Sequence, residues 1–174
     1  TVAGEVKKPC TLKAPLGITY KELIEKAGGA TTDDYVIVAG GPMTGMIGYD
    51  SDVVTKTSNA ILVMPKNAYI VQKRQTNVNI DIKRAMSVCC QCNVCTDLCS
   101  RNLLGHPIEP HRVMRAVSGN DTEDTKAFIN TFFCSSCGLC ELYSCPQDLN
   151  PRTIIAKSKS LLRKGGIAIP KDIK

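Results

Sequence analysis

Cysteines crowd into one short segment of the chain, Cys89-Cys90-Gln91-Cys92-Asn93-Val94-Cys95-Thr96-Asp97-Leu98-Cys99, which holds five of the ten. Three of the five are spaced three residues apart, and another follows four residues later; this first set is Cys89, Cys92, Cys95 and Cys99. A second set has almost the same spacing, at Cys134, Cys137, Cys140 and Cys145. The chain therefore contains an internal repeat of a four-cysteine set.

This spacing is that of the ligands in bacterial 4Fe–4S ferredoxins. Cysteines three residues apart on a tight loop reach three iron corners of one cubane cluster, and the fourth thiolate comes from elsewhere. In two-cluster ferredoxins, the last cysteine of each set binds the other cluster. We therefore predict two 4Fe–4S clusters with exchanged fourth ligands, one on Cys89, Cys92, Cys95 and Cys145, and one on Cys134, Cys137, Cys140 and Cys99.

Two positions depart from the ferredoxin pattern. Ser100 stands where a ferredoxin usually has proline, and four residues rather than three separate Cys140 from Cys145, although Pro146 follows as expected. Neither change removes a ligand. The alternative is structural zinc, which takes four cysteines from paired two-residue spacers. A third cysteine at the same interval favours iron–sulfur over zinc.

Two further cysteines and both histidines lie outside the two sets. Cys90 would break the three-residue rhythm, and we interpret it as a non-ligand. Cys10 is interpreted as a small residue of a turn or of the core. His106 and His111 flank two prolines near the first set, where local hydrogen bonding or capping is the more typical role.

The composition sets limits on the class of protein. The chain has 174 residues and is 43% hydrophobic, enough for a core in one or two small domains. No run approaches the roughly 18 apolar residues of a membrane span. We find no secretory signal, which favours metal ligation over disulfides. Because the sequence opens with Thr1 in strand-like sequence, we expect a piece of a longer protein.

The positive charge does not predict nucleic-acid binding. The formal net charge is +6, and the basic residues are scattered along the chain. Each cluster with four thiolates carries about −2, so two clusters reduce the net charge to about +2, or to about zero when both are reduced. We therefore expect no nucleic-acid partner.

Residues 1–66 predict a small α+β unit. Thr19 and Glu22 form a capping box at the start of a helix, which Gly28-Gly29 ends. Short β-prone segments surround this helix, at residues 1–6, 11–14, 35–39 and 60–64. Strands around a single helix indicate a β-grasp-like fold.

The rest of the chain is predicted to be mainly helical. Residues 67–85 are interpreted as a linker and a lead-in helix, residues 86–166 as a dicluster ferredoxin domain, and residues 167–174 as a tail. Helices are predicted to begin at Pro110, after a capping Asp121, and at Pro151 after a capping Asn150. The fold class is therefore α+β, with a β-grasp domain followed by a helical dicluster ferredoxin-like domain.

The turn-rich segment Gly40-Gly41-Pro42-Met43-Thr44-Gly45 is a candidate cofactor-binding loop, in which the backbone N–H groups around Gly40, Gly41 and Gly45 would contact a ligand. A plain loop is the alternative, because no Walker lysine follows. A Rossmann fingerprint is also missing, so that a nicotinamide or flavin would have to bind elsewhere.

Motifs along the first half resemble those of known electron-transfer proteins. Gly4-Glu5-Val6-Lys7-Lys8-Pro9, with Ala27-Gly28-Gly29, resembles the soluble-ligand-binding β-grasp domain. Gly40-Gly41-Pro42-Met43 and Val54-Thr55-Lys56-Thr57 are similar to motifs of the C subunit of the Rnf electron-transport complex. Cys10 departs from that pattern, because glycine usually follows the proline there.

The second half resembles the PduS-type cobalamin reductases of propanediol-utilisation microcompartments. The motifs that carry this resemblance are Arg101-Asn102-Leu103-Leu104-Gly105-His106, Pro110-His111, Arg115-Ala116-Val117 and Cys140-Glu141-Leu142-Tyr143-Ser144-Cys145-Pro146. The resemblance implies an electron carrier that is part of an NADH-oxidising flavoprotein. FMN and NADH would bind in a missing N-terminal part, and single electrons would pass to a corrinoid or a corrinoid protein.

Two rival functions stay open at this point. An Rnf-type C subunit would relay electrons to membrane subunits, and a partner-docking protein would use the clusters only to stiffen its fold. The PduS-type resemblance implies a location in the cytoplasm, or in a bacterial microcompartment within it. The Rnf alternative places it peripherally on the cytoplasmic face of the membrane. No residue of this chain is assigned a catalytic role.

Overall fold

The structure, a computed structural model, describes residues 1–121 and 123–168. The chain divides into two compact units, of which the first ends at Thr76 and the second begins at Asn77. This division falls inside the segment 67–85 that was predicted as linker and lead-in helix. Residues 169–174 of the predicted tail lie outside the described part of the chain.

A small mixed sheet forms the framework of the first unit. Its strands are β1 (Val2–Gly4), β2 (Tyr35–Ala39), β3 (Met46–Gly48) and β4 (Ile61–Pro65), in the order β1-β4-β2-β3. Strand β1 runs parallel to β4, whereas β2 pairs antiparallel with both β4 and β3. The alternating buried side chains of these strands supply one side of a core.

Helix α1 (Tyr20–Lys26) covers that side of the sheet. The predicted capping box is present: the Glu22 N–H donates to Thr19 Oγ1 at 3.2 Å, and the Thr19 N–H donates to the Glu22 carboxylate at 2.9 Å. Both bonds satisfy N–H groups that a helix start leaves unpaired. The buried face of the helix packs on strand residues, and the core comprises Val2, Val6, Tyr20, Leu23, Ile24, Ala27, Ile37, Ile61 and Val63.

The structure corrects three expectations for this unit. Residues 11–14 form no strand, because the partner of β1 on that side is only Cys10, which exchanges two backbone hydrogen bonds with Val2. Strand β3 was not predicted, since three residues are too few to show a period of two. Helix α2 (Tyr69–Arg74) occupies residues that were interpreted as linker.

The glycine-rich loop between β2 and β3 is held by hydrogen bonds within itself and to residues elsewhere in the same unit. The Gly40 N–H donates to Ala60 O at 2.7 Å, and the Gly45 N–H donates to Gly41 O at 2.7 Å. The Arg74 guanidinium donates to the carbonyls of Pro42 and Met43. Two of the N–H groups proposed to contact a ligand are therefore engaged within the chain, which favours the plain-loop interpretation.

Substituting Gly45→Ala is expected to destabilise this unit by about 1–3 kcal/mol. An added Cβ would lie 2.6 Å from Gly41 O and 2.7 Å from Val38 Cγ1, too close for either to remain in place. Gly41→Ala is the matched control, because its Cβ would meet nothing nearer than Thr44 Oγ1 at 3.8 Å. Chemical denaturation measures both, and equal stability of the two variants would contradict the prediction.

The second unit is built from helices. In chain order these are α3 (Val78–Val88), α4 (Val94–Asp97), α5 (Ser100–Leu103), α6 (Pro110–Ser118), α7 (Thr125–Ile129), a 3₁₀ turn (Asn130–Phe133), α8 (Leu139–Leu142) and α9 (Pro151–Lys164). A sheet-containing unit is thus followed by a helical one, and the predicted fold class is confirmed.

The helix boundaries agree with the local signals in two cases and depart from them in one. Helices α6 and α9 both begin at the predicted proline. The expected cap at Asp121 is wrong: Asp124 caps α7, its carboxylate accepting from the Ala127 N–H at 3.2 Å. Asp121 instead accepts from the Glu123 N–H at 2.9 Å, which closes a local turn.

Helices α3, α6 and α9 pack around buried apolar side chains that also support the cysteine loops. One core group joins Ala85, Met114, Leu149 and Ile154, and Cys89 and Cys145 pack against it. A second group joins Val113, Ala127 and Ile155, and Cys134 packs against it. The cysteine loops are therefore anchored on rigid helices.

Candidate metal centres

Four cysteines from both repeats line one cavity of the second unit, which we call the first cavity. Cys89, Cys92 and Cys95 come from the first set, and Cys145 comes from the second. The structure thus brings together the four residues that the sequence assigned to one cluster, and iron binding by them stays a prediction.

A second cavity has the complementary set of cysteines. Cys134, Cys137 and Cys140 line it together with Cys99 of the first set. The fourth ligand position of each set therefore lies in the cavity of the other set, as in two-cluster ferredoxins. The extra residue between Cys140 and Cys145 does not prevent this crossing.

The two cysteine loops share a backbone conformation although their sequences differ. Gln91 and Asn93 have φ of 55° and 69°, and the corresponding Ser136 and Gly138 have φ of 57° and 84°. Three of these four residues are not glycine, so the left-handed conformation carries strain. Such turns allow cysteines three residues apart to face one centre.

Donors near the sulfurs are suited to thiolates. The Ser136 N–H donates to Cys134 Sγ at 3.3 Å, and the Leu149 N–H donates to Cys145 Sγ at 3.3 Å. The Gln91 side-chain amide donates to Cys89 Sγ at 3.2 Å. Each bond favours the charged sulfur over the neutral thiol.

Two of the more buried cysteines, Cys95 and Cys140, resist ionisation without a nearby cation. Burial, reinforced by the neighbouring thiolates of Cys145, Cys89 and Cys92, raises the pKa of Cys95 to about 12. Burial, and then the charge of Cys134, also raises the pKa of Cys140. Four thiolates in one cavity therefore require a positively charged centre, and the donor set fits the cationic core of an iron–sulfur cluster.

The described residues form no recognisable site for a single metal ion. Within residues 1–121 and 123–168, no three Cys, His, Asp or Glu side chains converge closely enough to hold a single metal ion. Tetrahedral zinc with Zn–S bonds of about 2.3 Å needs sulfurs about 3.8 Å apart. A cubane binds thiolates at its outer corners and needs a wider set.

The two histidines make local contacts. His111 Nδ1 lies 2.8 Å from Thr96 Oγ1, and burial lowers the pKa of this histidine. His106 stacks on Phe133 and contacts the Arg101 guanidinium at 3.3 Å. Both histidines therefore make the local contacts that were expected of them.

The two cysteines outside the sets differ in position. Cys90 lines the first cavity, but it is exposed and stands beside the four thiols of the predicted site. Cys10 is half-buried against the core of the first unit. Neither was assigned to a cluster.

Sequence reasoning missed the charged side chains around the second cavity. Arg101 and Arg152 line it, Lys159 Nζ donates to Cys134 O at 3.1 Å, and Glu141 is buried beside Cys140. The sequence shows basic residues near the cysteines, but it does not show which cavity each basic residue borders. The placement of Arg152 and Lys159 requires α9 to fold back onto the cysteine loops.

A membrane crossing requires a long, apolar helix. No helix within residues 1–121 and 123–168 is both long and apolar enough.

Two domain families match separate parts of the chain. The family described as "SLBB domain" matches residues 1–47, and the family described as "4Fe-4S dicluster domain" matches residues 88–150. The chain thus carries an SLBB domain followed by a dicluster ferredoxin domain, the predicted order. The dicluster match supports iron–sulfur clusters and an electron-transfer role.

Curated relatives extend this similarity over nearly the whole chain. "Cobalamin reductase PduS" of Salmonella typhimurium (strain LT2) is 38% identical over 164 residues, which is 94% of this chain and 36% of the relative. The protein of the same name from Citrobacter freundii has the same identity and coverage. The chain spans about a third of the length of these relatives.

A third relative belongs to a different assembly. It is the C subunit of the proton-translocating ferredoxin:NAD(+) oxidoreductase complex of Clostridium ljungdahlii, which is 32% identical over 101 residues, or 58% of this chain and 20% of the relative. Both resemblances noted in the sequence, to PduS-type reductases and to Rnf-type C subunits, are thereby confirmed.

Proposed function

We propose that this chain is the electron-transfer part of an NADH-oxidising flavoprotein that passes single electrons to a corrinoid. The observation that carries the proposal is the pair of cavities, each lined by four cysteines drawn from both halves of the repeat. The similarity to proteins named cobalamin reductase supports a corrinoid, free or protein-bound, as the acceptor.

The residues of this chain would hold the two cofactors and control their surroundings. A bound 4Fe–4S cluster supplies one-electron oxidation and reduction. Cys140 is only 8% exposed, and the amides that donate to the sulfurs of Cys134 and Cys145 stabilise negative charge there. Burial raises the pKa of Cys140 in the second cavity, and the charge of Cys95 in the first cavity adds a smaller part of that rise.

FMN and NADH are proposed to bind in a part of the full-length protein outside this chain. The 174 residues carry neither a Rossmann nor a Walker glycine motif, and the relatives are almost three times as long as the matched region. The proposed partners are this flavin- and NADH-binding part and the corrinoid acceptor. The proposed location is the cytoplasm or a bacterial microcompartment within it.

An Rnf-type C subunit on the cytoplasmic face of a membrane is the second candidate. The 32% identity to one component of a proton-translocating complex favours it, but that match covers 58% of the chain against 94% for the cobalamin reductases. A gene beside diol-dehydratase and shell-protein genes would support the first candidate. Neighbouring genes for membrane subunits would support the second.

The division of labour between this chain and the rest of the protein is testable directly. The isolated chain is expected to be reduced by dithionite and to reduce a one-electron dye, yet to show no NADH-dependent dye reduction when FMN is added. The full-length protein is expected to catalyse both reactions. Anaerobic dye-reduction assays measure these rates.

The full-length protein also provides the control for acceptor choice. Its NADH-dependent reduction of a corrinoid would support the proposed acceptor, and dye reduction without corrinoid reduction would contradict it. Robust NADH turnover by the isolated chain would show a dinucleotide site within these 174 residues and overturn the proposed division.

A further inference from the structure

The charges around the two cavities differ. Of the described residues that line the first cavity, none is Lys, Arg, Asp or Glu. The second cavity is lined by two arginines, Arg101 and Arg152. A third cation, Lys159, is held at its edge by a hydrogen bond to Cys134 O. The two cysteine sets are thus nearly equivalent in spacing but not in electrostatic environment.

Arg152 occupies a special place among these cations. It is the second residue of α9, and its neighbour Pro151 lines the first cavity, so the first turn of this helix borders both sites. Its side chain is 13% exposed. The Nε–H is buried and, among the described residues, has no hydrogen-bond partner. A buried guanidinium donor without a partner is costly unless an acceptor occupies the cavity.

One buried carboxylate opposes this charge in part. Glu141 is 2% exposed, and its Oε2 accepts from the N–H and the hydroxyl of Thr153 at 3.0 Å and 2.9 Å. Its Oε1 has no hydrogen-bond partner in the described chain and lies 4.0 Å from Arg152 Nη1. Glu141 therefore accepts hydrogen bonds from the first turn of α9, and the distance across its ion pair with Arg152 is long. Two arginines and Lys159 outweigh this single carboxylate.

We propose that the positive charge of Arg152 raises the reduction potential of the cluster in the second cavity. The reduction potential of the cluster in the first cavity is left nearly unchanged. This inference rests on the proposed function, because it requires a cluster in each cavity. Adding an electron makes the site more negative, and a permanent positive charge at low local dielectric stabilises that state. Cys92 of the first cavity is exposed, and water also stabilises added negative charge. The test therefore compares the reduction potential of each cluster between variants, and not the potentials of the two wild-type clusters with each other.

The experiment is an anaerobic redox titration of the full-length protein, monitored by electron paramagnetic resonance. Arg152→Gln is expected to shift the equilibrium for reducing the second-cavity cluster about tenfold toward the oxidised form, equivalent to about 59 mV for a one-electron centre. Arg152→Lys, which retains the charge, is expected to restore most of the potential. Cys137→Ser, which alters one thiol of the second cavity, identifies the signal that belongs to it.

Lys157→Gln is the matched control. It removes a positive charge from the same helix, but Lys157 is exposed and lines neither cavity, so we expect a shift below about twofold. Arg101→Gln is the second test variant, in case Arg152→Gln does not fold. It removes a positive charge that lines the same cavity, and it should shift the same signal in the same direction.

The outcomes separate this inference from the proposed function. A shift confined to the second-cavity signal, reversed by lysine, supports the inference. If Arg152→Gln holds two intact clusters and both reduction potentials shift equally, or neither shifts, the inference is wrong. The proposed function then still stands. Wild-type protein without two clusters would overturn the proposed function and the inference together.

Discussion

Protein purified without oxygen is expected to contain about eight irons and about eight acid-labile sulfides per chain, equivalent to two 4Fe–4S clusters. The reason is structural: eight of the ten cysteines line two cavities in complete sets of four. Metal analysis by mass spectrometry and a colorimetric sulfide assay measure the two quantities. The protein should also be brown, with broad absorption near about 400 nm from thiolate-bound iron.

Zinc is the outcome that would contradict this expectation. Stoichiometric zinc without labile sulfide would show that the cysteine sets hold single ions. Cys10→Ser provides the control, since Cys10 packs against the core of the other unit and should leave the iron content unchanged.

Substituting Cys99→Ser is expected to damage the cluster in the second cavity. The cluster in the first cavity, whose cysteines lie nearest to Cys99 in the sequence, should survive. Cys99 lines the cavity of Cys134, Cys137 and Cys140, although 35 positions separate it from the nearest of them in the sequence. Iron content should fall toward about half if that cluster is lost. Paramagnetic resonance of the reduced protein shows which signal disappears.

Cys90→Ser is the matched substitution for this experiment. Cys90 also lies in the first cysteine segment and lines the first cavity, but it belongs to neither predicted set of ligands. Both clusters should survive in this variant. Loss of the first cluster alone in the Cys99→Ser protein, or of any cluster in the Cys90→Ser protein, would show that the ligands are assigned incorrectly.

The sequence predicted those features of the fold that depend on neighbouring residues. The capping box of Thr19 and Glu22, the buried strand Tyr35–Ala39 and the proline at the start of α9 are local signals, and all three are present. The cysteine sets were predictable for the same reason, because spacing along the chain restricts which thiols can face one centre.

The missed features depend on contacts between distant residues. Asn150 was expected to cap α9, but its side-chain amide donates to the buried Asp81 at 2.8 Å. Glu141 takes over part of the capping role by accepting from the Thr153 N–H. Nothing in the sequence near Asn150 shows that a carboxylate 69 positions earlier will be its partner. The cations around the second cavity were missed for the same reason.

The exchange of the fourth cysteine also makes the helical unit indivisible. A cut between α6 and α7 would leave Cys99 without the three thiols it faces, and would separate Cys145 from those of the first cavity. Each piece would keep three thiols of one site and a single thiol of the other. Because neither half of the repeat keeps a complete set of four thiols, we expect an engineered variant to need both halves in order to hold either cluster.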